Sequence, residues 1–259
     1  MLKEKNKLFL ILTLFIFVIS GCTNELKNIE NLNDLNGANV GIYTGSEYDN
    51  IADDKIVGVK TLYFNSYSDQ IIALKSGKID GFLTDKPLAN EIINKNHDLK
   101  ILDDKLTDDS YAFAINPSKK ELKLKIDEVL TEMEKDGTLN QMENKWMGNN
   151  EDIKKLNDYN FSNKNGTIKF ATVSGSAPFS YIKNNEIVGY DIEVISYICE
   201  KLEFNLEIIE MSFEGIIPAL KSGKVDVAGC SIIVTEERKK SVLFSTPDYT
   251  GGIVVVVRK

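Results

Sequence analysis

The chain has 259 residues, 42% hydrophobic, 27% charged and 9% aromatic, which is the composition of a globular protein rather than a disordered or fibrous one. Its formal net charge of −8 argues against nucleic acid as a partner, because phosphate binding requires a basic surface. One histidine and three cysteines exclude zinc sites that need two histidines or two CxxC pairs, so we expect no metal and no cofactor.

The first predicted segment is an export leader, residues 1–21. It has three lysines within its first seven residues, and its apolar stretch 8–19 is too short for a helix to cross a hydrocarbon core of roughly 30 Å. The segment ends in Ile19-Ser20-Gly21-Cys22, which resembles the lipobox of bacterial lipoproteins and implies lipidation of Cys22. We therefore expect an exported protein, lipid-anchored to a membrane of the cell envelope and facing the periplasm or exterior. A simple signal peptide or an uncleaved anchor is the alternative.

Two cysteines remain once Cys22 is assigned to the anchor. Cys199 lies on an apolar helical stripe, and Cys230 ends an apolar run that begins at Val225. Cysteine is often a small core residue, so we predict two buried free thiols. Export permits a disulfide between them, which stays open at this point.

An internal repeat organises the remaining sequence. Residues 73–80 and 219–226 are identical at seven of eight positions, at a spacing of 146 residues. Each copy is typical of a helix end, a glycine in the left-handed conformation and then a buried strand. Strands are predicted at 40–43, 79–84, 168–173 and 225–231. Because strands alternate with helices, we predict an α/β fold of parallel βαβ units in two similar lobes, with a hinge and a cleft between them.

The sequence between the two copies predicts helices and then a linker. Within residues 118–148, apolar residues three and four apart form one helical face, at Leu122, Ile126, Val129, Leu130 and Met133. Asp136-Gly137 interrupts that helix, and a shorter one is predicted from Leu139 to Trp146. Residues 149–165 are rich in asparagine and poor in large apolar side chains, which predicts a linker.

A series of ordered motifs then carries a family resemblance. In the second half they are Ala177-Pro178-Phe179, Gly189-Tyr190-Asp191, Gly215–Gly223, Thr235-Glu236-Glu237-Arg238 and Phe244-Ser245-Thr246-Pro247. They resemble the N-terminal lobe of the bacterial extracellular solute-binding proteins of family 3, which are polar amino-acid receptors of ABC importers. In the first half, Gly41–Ser46 and Asp80–Asp85 resemble that family's second lobe, and Gly137–Gly148 resembles its closing helices. The resemblance implies a two-lobed, type II-like periplasmic-binding-protein fold, a small polar solute such as an amino acid as ligand, and a membrane permease as partner.

The order of these parts departs from the family. A usual member runs through its N-terminal lobe, its second lobe and its closing helices. Here we predict, after a tether at 22–34, the parts in this order: second lobe 35–117, closing helices 118–148 that pack on the N-terminal lobe, linker 149–165, and N-terminal lobe 166–259. We expect one crossing between lobes, near 111–116. Either this is one permuted binding domain, which we favour because each part occurs once, or it is a piece of a tandem receptor.

The resemblance also implies a ligand site formed from both halves. Arg238 would hold the ligand's carboxylate through its planar guanidinium, and Asp85 would hold the ammonium. Alternatively, Arg238 is a solvated charge and Asp85 caps a helix that begins at Lys86. The other expected ligand-binding residues are Ser46, Glu47, Ser176, Phe179, Phe213 and Ser231, although Phe179 is also consistent with a core residue. Ile233, Val173 and Ser176 replace a hydroxyl, an acid and an aromatic that the family commonly has, so the ligand's identity stays open.

Two other classes of function are considered. Cyclohexadienyl dehydratases share this fold, but a dehydratase needs a positioned general acid, and no catalytic residue is assigned here. No GxSxG, P-loop or GxGxxG motif suggests other chemistry. Receptor kinases use such lobes as extracellular sensors, but no kinase domain follows here. We therefore predict a binding protein and not an enzyme.

Overall fold

The computed structural model describes residues 27–259, in which strands and helices alternate along most of the chain. The strands are β1 (Asn39–Tyr43), β2 (Lys60–Phe64), β3 (Gly81–Asp85), β4 (Leu99–Ile101), β5 (Asp109–Tyr111), β6 (Ala114–Ile115), β7 (Thr167–Thr172), β8 (Gly175–Ser176), β9 (Ser180–Lys183), β10 (Glu186–Val188), β11 (Asn205–Glu210), β12 (Val227–Ala228), β13 (Leu243–Phe244), β14 (Tyr249–Gly251) and β15 (Ile253–Arg258). The helices are α1 (Tyr48–Lys55), α2 (Tyr67–Lys75), α3 (Lys86–Lys95), α4 (Lys120–Asp136), α5 (Thr138–Met147), α6 (Tyr190–Lys201), α7 (Phe213–Ser222) and α8 (Glu236–Lys239), and a 3-10 turn precedes them at Leu32–Leu35. Within this part of the chain, no helix combines the length and the apolar character that crossing a membrane requires. The predicted leader and Cys22 lie outside the described residues.

Two five-stranded sheets form the frameworks of two lobes. Lobe A (residues 27–106 and 253–259) contains the sheet β2-β1-β3-β15-β4, and lobe B (residues 112–248) contains the sheet β11-β7-β12-β6-β13. The first three strands of each sheet are parallel, and the fourth is antiparallel to both of its neighbours. Strands β1, β3 and β15 are mostly apolar and almost completely buried, as expected where helices cover both faces. The predicted two-lobed α/β fold is confirmed.

Each sheet takes its antiparallel strand from the other half of the chain. β15 lies between β3 and β4 of lobe A, and β6 lies between β12 and β13 of lobe B. The chain therefore passes between the lobes twice, through β5 and β14, which pair with each other. The prediction of a single crossing is wrong, and so is the assignment of all of 166–259 to one lobe. A strand that is apolar on both faces fits any buried sheet position, so the sequence of β15 does not specify its sheet.

The internal repeat has the local structure that the sequence predicts. Gly77 and Gly223 end α2 and α7, each with a φ of 75°, in the left-handed region that glycine adopts most readily. Strands β3 and β12 follow them, shorter than predicted at 81–85 and 227–228. The repeat thus marks the same helix–strand corner in both lobes.

Helices α4 and α5 pack into the core of lobe B. The buried face of α4, with Ile126 and Met133, shares a core with Ile168 and Phe170 of β7. Trp146 of α5 is completely buried and donates its indole N–H to the carboxylate of Glu193 on α6. Lys145 Nζ lies 2.6 Å from the other oxygen of Glu193, which is itself fully buried. These contacts fasten the helix pair to α6.

Residues 149–165 contain no strand or helix, but they make a contact between the lobes. Lys154 is 2% exposed, and its Nζ donates to Glu91 Oε1 on α3 of lobe A at 2.8 Å. The same ammonium lies 2.7 Å from Glu151, and Lys183 of β9 in lobe B donates to the Glu151 carbonyl at 3.0 Å. We name this set of contacts the Lys154 link.

Candidate functional site

A cavity lies in the cleft between the lobes, near the carboxyl ends of β1 and β3, which is where open α/β sheets commonly bind ligands. It is lined by Tyr43, Ser46, Glu47, Tyr48 and Tyr67 of lobe A and by Ser176, Phe213, Cys230, Ser231, Ile233 and Arg238 of lobe B. The volume of this cavity is only about 20 Å³, which is room for about one water. A larger solute therefore enters only if the lobes move apart.

Arg238 is held in the cleft by its own short helix. Thr235 caps α8 by accepting the backbone N–H of Arg238 at 3.2 Å, and the Arg238 residue is 8% exposed. Its Nη1 donates to the Ile233 carbonyl at 2.9 Å, and its guanidinium lies 5.6 Å from the centre of the Phe213 ring. Burial lowers the pKa of Arg238, while Glu47 acts in the opposite direction. Arg238 is thus a buried cation facing the cavity and not a solvated surface charge.

Two contacts join Arg238 to lobe A. Nη2 donates to the Gly45 carbonyl at 3.2 Å, and Nε lies 3.3 Å from Glu47 Oε1. Gly45 has a φ of 82°, and a Cβ built on it would stand 2.9 Å from the Cα of Glu214 on lobe B. Only a glycine therefore permits this approach of the two backbones.

Asp85 ends β3 and is completely buried beneath the cavity. Its carboxylate accepts hydrogen bonds from three hydroxyls: Tyr111 at 2.7 Å, Ser231 at 2.9 Å and Tyr48 at 3.0 Å. It stands at the N-cap position of α3, but its side chain makes no capping hydrogen bond, so the helix-cap alternative is wrong. Burial raises the pKa of Asp85 to about 6, although the three hydroxyl donors lower it.

A second buried carboxylate lies behind Ser231. Asp191, at the start of α6, accepts the Ser231 backbone N–H at 3.1 Å, and burial raises its pKa to about 7. Asp85 and Asp191 thus approach Ser231 from opposite lobes. The cleft consequently holds more acidic groups than basic ones.

The expected site residues do not all reach the cavity. Ser46, Glu47, Ser176, Phe213, Ser231 and Arg238 line it, and Asp85 contacts two of the lining hydroxyls. Ser46 is used within its own turn, because its hydroxyl donates to the Tyr43 carbonyl at 2.7 Å. Phe179 does not line the cavity: it is completely buried against Tyr111 and Tyr249, so its assignment as a wall residue is corrected to the core.

Three tyrosines of the cavity wall were not predicted. Tyr43 stacks on Tyr67 with ring centres 4.7 Å apart and meets Phe213 edge-on at 6.0 Å, and Tyr48 reaches Asp85. The repeat contained a signal for one of them, since Tyr67 and Phe213 are 146 residues apart and each begins the helix that precedes the repeated segment. Asp85 and Ser231 have the same spacing and meet across the cleft.

The two described cysteines are free, as predicted. Cys199 and Cys230 are both buried and unpaired with each other. Burial raises the pKa of both thiols to about 12, which keeps them protonated at neutral pH. Cys230 lines the cavity at its lobe B side as a small, weakly polar group.

Titration of Asp85 gives a first testable prediction. Because its folded-state pKa of about 6 lies above the ordinary 3.8, Asp85 contributes stability below about pH 4 that is lost as the pH rises through 6. We expect the free energy of unfolding of the wild type, relative to Asp85→Asn, to fall by roughly 3 kcal/mol over that range. Urea unfolding at several pH values measures this difference. Asp103→Asn, which neutralises an exposed carboxylate of the same lobe, is the control, and a difference independent of pH would contradict the prediction.

Comparisons with known proteins find relatives that match part of this chain. Residues 168–259 match the sequence model described as bacterial extracellular solute-binding proteins, family 3. A probable histidine-binding protein of Campylobacter jejuni is 36% identical over 93 residues, 36% of each chain. The ABC transporter arginine-binding protein 1 of Escherichia coli is 31% identical over 118 residues, 44% of this chain and 49% of that protein.

A solved structure of the arginine-bound form of domain 1 from TmArgBP is 33% identical over 37% of this chain and 82% of that one, with a TM-score of 0.32. The chain spans between about a third and a half of the length of the curated relatives named here. Those relatives are binding proteins rather than enzymes.

Proposed function

We propose that the cleft between lobes A and B binds a free amino acid. Over residues 168–259, the chain belongs to the bacterial extracellular solute-binding proteins of family 3. The observation that carries this proposal is the placement of opposite charges on opposite lobes. Arg238 of lobe B faces the cavity, and Asp85 of lobe A lies beneath it. A zwitterion has a carboxylate for the first and an ammonium for the second.

Binding of a zwitterion would favour the closed arrangement of the lobes. The ligand's carboxylate would make paired, charge-assisted hydrogen bonds with the Arg238 guanidinium. Its ammonium would pair with Asp85 and so favour the ionised carboxylate, which means that affinity should fall as the pH drops below about 6. Because each charge is held by a different lobe, only the closed arrangement makes both contacts, and the ligand shifts the population towards it.

The proposed binding of an amino acid also suggests the domain organisation of the chain and its role in transport. We infer that the chain is a single binding domain in which the family's second lobe comes before its first, so that lobe A corresponds to the second lobe and lobe B to the N-terminal lobe. The presence of one five-stranded sheet in each lobe supports the inference of a single binding domain. We further infer delivery of the solute to an ABC permease, and export with lipid anchoring at Cys22, which the sequence 19–22 supports.

Ligand screening tests the proposal. We expect at least one of the proteinogenic L-amino acids to raise the melting temperature of the purified protein, because a ligand that binds only the folded state stabilises it by about 2.7 kcal/mol at a concentration of 100 times Kd. Calorimetric titration then gives the affinity. The decarboxylated and the N-acetylated forms of the same amino acid are the controls and should bind much more weakly. If no amino acid shifts the melting temperature, the ligand belongs to another chemical class.

A further inference from the structure

The carboxylate of Glu47 reaches across the cleft to Arg238, the cation that we assign to binding the ligand's carboxylate. Glu47 belongs to lobe A, and its Oε1 lies 3.3 Å from Nε of Arg238 in lobe B. Its other oxygen accepts from Asn50 Nδ2 at 3.1 Å. Glu47 stands at the N-cap position of α1 but makes no side-chain cap hydrogen bond, so its carboxylate is directed to the cleft instead of its own helix.

Two backbone carbonyls contact the guanidinium of Arg238 in addition to Glu47. Nη1 donates to the Ile233 carbonyl and Nη2 to the Gly45 carbonyl. A ligand carboxylate would have to approach this same guanidinium, in a cavity that has room for only about one water molecule. The ligand and Glu47 therefore cannot both occupy this position.

Asp85, the residue proposed to bind the ligand's ammonium, is also contacted from across the cleft. Asp85 of lobe A accepts the hydroxyl of Ser231 in lobe B at 2.9 Å, where an ammonium would donate. Tyr43 and Phe213, again from opposite lobes, are in edge-to-face contact in the wall of the cavity. Glu47 thus stands in for the carboxylate of a zwitterion, and the neutral hydroxyl of Ser231 takes the donor position that its ammonium would take.

We propose that Glu47 is an internal substitute for the ligand's carboxylate, pairing with Arg238 to hold the lobes together until a ligand displaces it. This inference rests on the proposed function, because it treats Arg238 as the ligand's carboxylate-binding group. Displacement of Glu47 lowers the apparent affinity for any ligand that brings a carboxylate to Arg238, since the binding-competent state is only part of the population. A ligand without a carboxylate leaves Arg238 free to pair with Glu47 again once the lobes close around it, so the net competition is specific to ligands that carry a carboxylate.

Two variants of Glu47 test the proposal in the unliganded protein. Glu47→Gln removes the charge with little change of shape, and Glu47→Ala removes the contact as well. We expect both to increase the radius of gyration measured by small-angle X-ray scattering, because the lobes separate more often. Glu237→Gln is the matched control: it removes a carboxylate beside Arg238 in the sequence, but that carboxylate is exposed and pairs with Lys240 at 2.5 Å. A radius of gyration that is unchanged in both Glu47 variants overturns the proposal.

A binding measurement forms the second arm. L-arginine and agmatine, its decarboxylated form, are titrated into the wild type and Glu47→Gln by calorimetry. We expect Glu47→Gln to bind L-arginine roughly fivefold or more tightly than the wild type does, with the ratio close to one for agmatine. Weaker binding of L-arginine by the variant would show that Glu47 contacts the ligand and would overturn the proposal. If L-arginine binds neither protein, the scattering result decides alone, so failure of the proposed function is distinguishable from failure of this inference.

Discussion

Replacement of Arg238 by alanine is expected to weaken amino-acid binding by roughly 30-fold or more, which corresponds to about 2–5 kcal/mol. The ligand's carboxylate would remain in a cavity that is largely closed to water, with no cation to replace its hydration. Arg238→Lys should recover only part of the loss, because an ammonium cannot make two parallel hydrogen bonds to a carboxylate. Calorimetric titration with the amino acid identified by screening measures both variants.

The control for Arg238 lies next to it in the sequence. Lys239 is exposed and pairs with Glu236 at 2.7 Å, so Lys239→Ala removes an equal charge from outside the cavity and should leave the affinity within a few-fold of the wild type. Circular dichroism must show that Arg238→Ala remains folded, since this variant also loses the contacts to Ile233 and Gly45. Undiminished binding by folded Arg238→Ala would refute the assigned role of Arg238.

Trp146→Ala is expected to lower the free energy of unfolding by about 3–5 kcal/mol, the range typical of removing a fully buried large aromatic side chain. The substitution also leaves the buried Glu193 carboxylate without its indole donor. Trp146→Phe retains most of the packing but lacks the N–H, so we expect it to cost about 1–3 kcal/mol. Urea unfolding followed by far-ultraviolet circular dichroism is the suitable measurement, because Trp146 is the only tryptophan.

An exposed aromatic side chain provides the comparison for Trp146. Phe161 is 38% exposed and lies outside the strands and helices, so Phe161→Ala should cost less than about 1 kcal/mol. The expected order of destabilisation is Trp146→Ala, then Trp146→Phe, then Phe161→Ala. A cost for Trp146→Ala no larger than that for Phe161→Ala would mean that α5 is not fastened to lobe B in the way described.

Elements defined by local periodicity could be predicted from the sequence, and elements defined by a distant partner could not. The apolar stripe of α4 and the glycines that end α2 and α7 have local causes, and the structure has both features. β6 contains only two residues, so it has no periodicity to detect. β15 is buried on both faces, and its place between β3 and β4 depends on strands more than a hundred residues away.

The site divides in a similar way. Arg238 and Asp85 were assigned through motifs, and the structure brings both to the cleft. Phe179 belongs to an equally clear motif but packs in the core, because a motif does not specify which of its side chains face a cavity. If the spacing of 146 residues is applied beyond the identical residues of the repeat, Tyr67 corresponds to Phe213 and Asp85 to Ser231. The repeat therefore points to site residues that the separate motifs do not identify.

The Lys154 link has a consequence for how the lobes come together. When the lobes separate, Lys154 and Glu91 lose their pairing at 2.8 Å, but both groups regain water, and this hydration offsets most of the Coulomb energy that is lost. The link therefore adds little to the strength with which the lobes adhere. Its geometry is restrictive, because one ammonium must meet carboxylates at positions 91 and 151 together. We expect it to select the mutual orientation in which the lobes meet, so that repeated closures align Arg238 and Asp85 in the same way.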